Sequence, residues 1–296
     1  MSSEDLFVRF WGVRGSIPTP GPRTRRYGGN TSCVEVRAGK TLLVFDAGTG
    51  LRELGVHLGR KVDSPITVHL FLSHPHWDHI QGFPFFGPAY ESSTTIYVYG
   101  PRGDDKHYQL LSGQMSNAYF PVRFSELGAR ILARSFKGTS VDAGDATVHL
   151  FEQKHPGGSL GFRVEYAGKS VVFSTDNELD QLLLDKQAAF ESPDELRKLP
   201  RELLKPVQDA DLLIADAQYA DDEYAQRVGW GHPRANTVVD LAAQAGVRRL
   251  ALTHHDPMHS DREIDVVVSE AELRARRLGF EDLEIFGARE GVTLKI

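Results

Sequence analysis

Cysteine is almost missing from this chain. Cys33 is the single one in 296 residues, which excludes an internal disulfide framework and a cysteine-rich zinc site. It lies in the apolar alternation of residues 31–36 and reads as a buried structural thiol. Long apolar runs are missing too. None reaches the ~20 residues that a membrane-crossing helix needs. There is no surplus of positive charge, since 34 Lys and Arg face 40 Asp and Glu for a formal net charge of -6. A long nucleic acid is therefore not the expected partner. Repeats, low-complexity segments and clean linkers are absent as well, and residues 1–296 read as one domain. The start, Met1-Ser2-Ser3-Glu4-Asp5, is acidic and carries no apolar core segment. No signal peptide is expected, and the cytoplasm is the default location.

What the chain does have is Ser73-His74-Pro75-His76-Trp77-Asp78-His79. This stretch follows the apolar run Ile66-Thr67-Val68-His69-Leu70-Phe71-Leu72, which reads as a buried strand. The strand thus delivers three imidazoles and a carboxylate on the loop at its end. Such donors suit a borderline divalent metal. Crowded histidine cations would repel one another, whereas a shared metal binds the neutral rings. His74 and His76 can reach one metal. Asp78 and His79 lie further along the loop and point to a second.

Other strands end in the same way. Expected strands cover residues 6–11, 32–37, 42–46, 66–72, 95–99, 130–136, 146–152, 161–166, 170–174, 210–216, 248–253, 283–286 and 292–296. Expected helices cover 51–58, 104–112, 221–227, 235–245 and 261–278, and 179–208 reads as helical with breaks near Ser192-Pro193 and Pro200. Six strands then finish in Asp46, the His74 loop, His155, Asp176, Asp216 and His254. Each residue alone would be an ordinary turn or cap. Their recurrence argues for a layered mixed αβ fold with a site at the strand ends. Around it, Phe83, Phe85 and Phe86 are candidates for a pocket wall or for core, and residues 115–122 for an overhang. The basic cluster Arg23, Arg25 and Arg26 is either a solvated loop or an anion contact. The 179–208 segment is read as a solvated connection, with a lid or partner surface as the alternative.

At these residues the sequence resembles the metallo-β-lactamase superfamily. Its signature is the His-x-His-x-Asp-His loop after a strand, followed by a distal His, an Asp and a final His. The matches are His74, His76, Asp78, His79, His155, Asp176 and His254. The resemblance implies a four-layer αββα sandwich with a dinuclear site on one edge. It assigns His74, His76 and His155 to one metal, Asp78, His79 and His254 to the other, and Asp176 to both. Leu252-Thr253-His254 looks like the family's last strand, which selects His254 and leaves His255 as a candidate behind the ligands. Zn²⁺ or Mn²⁺ fits the donors, and Fe²⁺ is tolerated.

Two stretches narrow the branch. Gly12-Val13-Arg14-Gly15-Ser16-Ile17-Pro18-Thr19, with Asn30-Thr31-Ser32, resembles the start of the ribonuclease Z branch. Arg14, Ser16 and Asn30 are thereby candidate substrate contacts. Gly231-His232, opening a helix, resembles the histidine that assists phosphodiester cleavage in that branch. Pro233 and Arg234 depart from the Ser-Thr pair often found there. No long Gly-rich arm of the tRNA-gripping kind is present. The resemblance therefore implies a hydrolase cleaving a small or cyclic phosphodiester, with Asp78 and His232 in catalytic roles. A thioesterase or lactonase, or an RNA 3′-end endonuclease of ribonuclease Z type, are the alternatives. The resemblance also makes a homodimer plausible, through the first Pro-rich loop or residues 179–208.

Overall fold

The computed structural model describes residues 5–59, 65–100, 106–192 and 194–296. Two seven-stranded sheets face each other. The first sheet contains β1 (Leu6–Gly12), β2 (Cys33–Ala38), β3 (Thr41–Phe45), β4 (Ile66–Phe71), β5 (Thr94–Gly100) and β6 (Arg130–Ser135). The second contains β7 (Ser140–Ala143), β8 (Ala146–Gln153), β9 (Ser159–Tyr166), β10 (Lys169–Ser174), β11 (Leu212–Asp216), β12 (Arg249–Thr253) and β13 (Glu284–Gly287). A last strand, β14 (Thr293–Lys295), returns to pair with β1. The spatial orders are β14-β1-β2-β3-β4-β5-β6 and β13-β12-β11-β10-β9-β8-β7.

Alternation in the strands builds the layers. In β1, Leu6, Val8 and Phe10 enter the space between the sheets, while Trp11 joins the outer layer. The space between the sheets is rich in rings: Phe71 stacks on Tyr99 at 4.3 Å and meets Phe45, Phe136 and Phe162. Each such pair adds about 0.5–1.5 kcal/mol to its area burial. The helices Gly50–Gly59 and Lys106–Gln114 cover the first sheet, and Ala235–Gln244 and Asp261–Arg277 cover the second. Ser260 caps the last of these, and its own N–H donates to Glu263 Oε2 at 2.6 Å. The result is the expected αββα sandwich.

Strand direction creates the site. Strands β3 to β6 run parallel, as do β10 to β13. Within each set the C-terminal ends share one edge, where loops can carry function. Two expectations fail. Residues 179–208 form short helical pieces, Leu179–Leu182, Ala188–Glu191, Arg201–Leu204 and Lys205–Val207, joined by irregular chain, and they are not a solvated connection. Buried Asp180 and Arg197 bond to neighbouring elements there instead of facing solvent. Strand β7 is additional; its Ser-Val-Asp-Ala sequence is short and mostly accessible, so it carries little apolar alternation. The expected helix start at Asp104 and the break at Pro193 lie outside the described residues, as does Met1–Glu4.

Candidate metal centre

Six strand ends bring their side chains together. Asp46 follows β3, the His74–His79 loop follows β4, and His155 follows β8. Asp176 follows β10, Asp216 closes β11, and His254 follows β12. Asp46, Asp176 and His254 leave their strands with φ of 62°, 45° and 56°. Left-handed backbone costs a non-glycine residue about 1–3 kcal/mol. The fold holds that strain at three residues of one cluster.

Asp176 is the centre. Its Oδ2 lies 3.5 Å from His74 Nε2 and 3.6 Å from His155 Nε2. His76 Nδ1 completes this group, 2.9 Å from His74 Nε2 and 3.0 Å from His155 Nε2. The other oxygen, Oδ1, lies 3.2 Å from both His79 Nε2 and His254 Nε2. Asp78 Oδ2 faces the same two nitrogens, also at 3.2 Å. One carboxylate therefore spans two groups of donors.

The far side of four of the rings is also held. Ser73 Oγ lies 3.0 Å from His74 Nδ1, and the Gly231 carbonyl 2.9 Å from His155 Nδ1. Asp46 Oδ2 lies 2.7 Å from His79 Nδ1, and Gln218 Oε1 3.0 Å from His254 Nδ1. Oxygens at these four Nδ1 atoms accept the proton and turn the Nε2 lone pairs inward, the orientation a metal ligand needs, whereas His76 faces the cluster through Nδ1. Asp46 is fixed in turn by the Ser73 N–H, which donates at 2.8 Å.

Charge makes the same demand. Asp78 and Asp176 are buried beside each other, and buried carboxylates without a counter-charge cost several kcal/mol each. Burial opposes their ionisation, yet His79 and His254 hold both carboxyls well below the ordinary range. Burial also opposes charge on the imidazoles, but Asp176 and Asp216 lift His254 to about 9, and Asp78, Asp176 and Asp46 lift His79 well above its ordinary value. Burial, joined by His79, keeps His74 neutral, and burial does the same for His155. Part of the donor set is thus already in the neutral form that a cation requires. Divalent ions would supply the positive charge now borrowed from His79 and His254. The residues fit such ions.

A family model for the beta-lactamase superfamily domain matches residues 41–255. The chain belongs to that superfamily, in its ribonuclease Z-like branch. A ribonuclease Z of Halobacterium salinarum is 29% identical over 328 residues, covering 98% of this chain and 97% of its own. A ribonuclease Z of Gemmatimonas aurantiaca is 30% identical over 291 residues, covering 86% of this chain and 87% of its own. Among solved structures, the metallo-beta-lactamase fold protein YhfI from Bacillus subtilis shares the fold with a TM-score of 0.70 and 20% identity, over 99% of this chain and 100% of its own. As a member of this superfamily the chain is a metal-dependent hydrolase. No described helix is long and apolar enough to cross a membrane.

His232 sits against the superfamily cluster. Its ring stacks on His254 at 4.9 Å, and its Nδ1 lies 2.8 Å from Asp216 Oδ2. Asp216 is the partner that the Pro233-Arg234 departure left unassigned. The loop carrying His232 is tied down by the irregular segment before it. Glu178 accepts from Gly229 N–H at 2.5 Å, Gly231 N–H at 3.1 Å and Tyr224 O–H at 2.8 Å. Asp180 accepts from both Arg234 N–H and Arg234 Nε at 2.8 Å. Gly231 has φ 95°, and a Cβ there would meet His155 Nδ1 at 2.2 Å, so only glycine fits.

Several expectations are corrected here. Arg14 is fully buried and donates to the carbonyls of Gly28, Asp256 and His259, so it ties loops together and does not face substrate. Asn30 is likewise committed, to Glu290 at 2.9 Å. Ser16 does reach the cluster, but through its backbone N–H, which donates to Asp78 Oδ2 at 2.8 Å. His255 turns away and bonds to the Ala288 carbonyl at 3.0 Å, so it does not back a ligand. Phe83 and Phe86 are core. Arg23 and Arg26 pair with Glu263 and Asp265 on the last helix, which removes them as free anion contacts. Sequence reasoning missed Ser73 and Gln218 as ring-holding residues. Ser73 lies inside the motif, whereas nothing in the local pattern marks Gln218.

A cavity of about 570 Å³ opens beside His74 and Pro75. A larger one, about 700 Å³, lies at the opposite edge around Arg9, Lys40 and His57 and contains none of the cluster.

Proposed function

We propose that this hydrolase is a phosphodiesterase working with two divalent ions. One would be held by His74, His76 and His155, the other by Asp78, His79 and His254, with Asp176 shared. The observation that carries this reading is the Asp176 carboxylate, whose two oxygens each face a separate histidine set. When bound, such a pair activates water near neutral pH and neutralises charge on a phosphoryl group.

The chain's own residues do the rest. Asp78 Oδ2 is fixed by the Ser16 N–H, so the carboxylate can accept a hydrogen bond from the attacking water and aim it. His232 has Nδ1 committed to Asp216, which leaves Nε2 to donate a proton to the departing oxygen. Proton donation of this kind is worth roughly 100- to 10,000-fold in rate. His232 suits an alkoxide leaving group, which needs that proton, over the thiolate of a thioester, which departs without it.

The substrate expected from charge and the missing arm was a small or cyclic phosphodiester. The named relatives support an RNA phosphodiester better. The reading adopted is cleavage next to an unpaired RNA end, a ribonuclease Z-type reaction. The experiment is a metal-loaded screen over RNA 3′ ends, cyclic nucleotides, a cyclic sugar phosphate, thioesters and lactones. Turnover of RNA ends supports the reading, and turnover confined to thioesters or lactones rejects it.

A further inference from the structure

Three exposed loop segments ring the cluster. They are Pro75-His76-Trp77, the Lys154-to-Gly158 loop with only His155 buried, and Val228-Gly229-Trp230. His76 is the one exposed member of the donor set, so the cluster opens to solvent on this side. Two of the chain's three tryptophans stand here, and both Trp77 and Trp230 are 61% exposed. The third, Trp11, is buried and donates to Glu35. Neither rim indole has a ring, cation or side-chain hydrogen-bond partner among the described residues. Trp77 directly follows His76, and Trp230 directly precedes Gly231. Both of those neighbours touch the same ring, at His155 Nε2 and Nδ1, 3.0 and 2.9 Å away. Each indole thus stands one residue away from a group that touches the His155 ring. Their placement is costly, since exposed tryptophan surface gains nothing from burial.

We propose that Trp77 and Trp230 are base-stacking platforms, which makes the substrate a phosphodiester carrying unpaired nucleobases. The proposal rests on the phosphodiesterase reading and names the side chains that would hold the unpaired bases of its substrate. Flat π faces accept any base, and stacking is sequence-tolerant. Exposed Lys154, beside His155, adds positive charge next to the phosphate path. The cavity bounded by His74, Pro75, Gly157, Gly158 and Leu160 lies between the first two of the three loop segments, and its volume of about 570 Å³ admits a nucleotide. A second copy of the chain seated on the two indoles would close the opening at His76, which argues for substrate as the occupant. A cyclic sugar phosphate without a base would leave both indoles unused.

The test uses the metal-loaded full chain and a five-residue oligoadenylate RNA. Its addition should quench tryptophan emission, and Trp77→Ala and Trp230→Ala should each remove part of that quenching. KM for the oligonucleotide should rise about 10- to 100-fold more in the double alanine variant than KM for methyl p-nitrophenyl phosphate. Phenylalanine at both positions should restore most of the loss. Equal changes for both substrates, or no quenching, would overturn the proposal. If the parent chain hydrolyses no phosphodiester, the functional reading fails, and quenching alone then decides stacking. A parent dimer that becomes monomeric in the double alanine variant, with no quenching, would assign the indoles to a subunit interface and overturn it too.

Discussion

The Asp216–His232 pair gives the sharpest prediction. Asp216→Asn keeps size and replaces one oxygen by an amide. In the parent, Oδ2 accepts from His232 Nδ1 at 2.8 Å and Oδ1 accepts from the Gln218 N–H at 3.0 Å. Asparagine has one acceptor for these two donors. Either Gln218 loses its acceptor, or the amide N–H faces Nδ1 and forces the imidazole proton onto Nε2 in a neutral ring. A hydrogen bond involving a charged group contributes about 1.5–3 kcal/mol, so kcat should fall roughly 10- to 150-fold. The assay compares two leaving groups. A nucleoside alkoxide needs the proton from Nε2, while p-nitrophenolate departs with little help, so the loss should be large for the first and small for the second. Asp216 acts through His232. The double variant Asp216→Asn/His232→Ala should therefore be no slower than His232→Ala alone, with metal content unchanged in all three. Additive losses, or metal lost together with activity, would refute this reasoning.

The other predictions concern the cluster and its surroundings. Asp176→Ala removes the carboxylate facing both donor sets, so metal content should drop and phosphodiester turnover should vanish; elemental analysis and the assay check this together. Gly231→Ala would drive a methyl to 2.2 Å from His155 Nδ1, so weaker metal binding is expected, measured by competition with a chelating dye. His69 offers a pH prediction away from the cluster, because burial lowers it from 6.5 to about 4. Above pH 6.5 both folded and unfolded chains hold it neutral. Between 6.5 and 4 only the unfolded chain takes the proton, so stability falls with pH, by roughly 1–2 kcal/mol after allowing for solvent screening. His69→Asn, which keeps a polar atom near Tyr99, should lose this part of the acid limb in urea unfolding at pH 7.5 and pH 5.

The sequence shows the first layer of the site more fully than the layer behind it. His74, His76, Asp78 and His79 are legible because metal ligands crowd into a few positions after an apolar strand. His155, Asp176 and His254 are legible because the same strand-then-polar pattern repeats. Asp46 and Asp216 appear in that pattern, but their tasks do not, since holding a ring nitrogen depends on three-dimensional distance. Gln218 carries no signal at all. Arg14 and Asn30 mislead for a physical reason. A charged or amide side chain in a Gly- and Pro-rich loop looks free for substrate, yet that loop has backbone carbonyls and a half-buried Glu290 to satisfy. Residues 179–208 mislead because their charge suggests a solvated connection, whereas Asp180 and Arg197 are drawn into bonds with the His232 loop and the helix behind it. Backbone strain at Asp46, Asp176 and His254 is invisible beforehand, because no glycine marks those positions.

The central claim is two ions shared through one carboxylate. Its most direct test is to strip the protein of metal and titrate Zn²⁺ or Mn²⁺ back while following phosphodiester hydrolysis. The account predicts that turnover rises until two equivalents per chain are bound and then stays level. A plateau at one equivalent, or turnover indifferent to added metal, would contradict it.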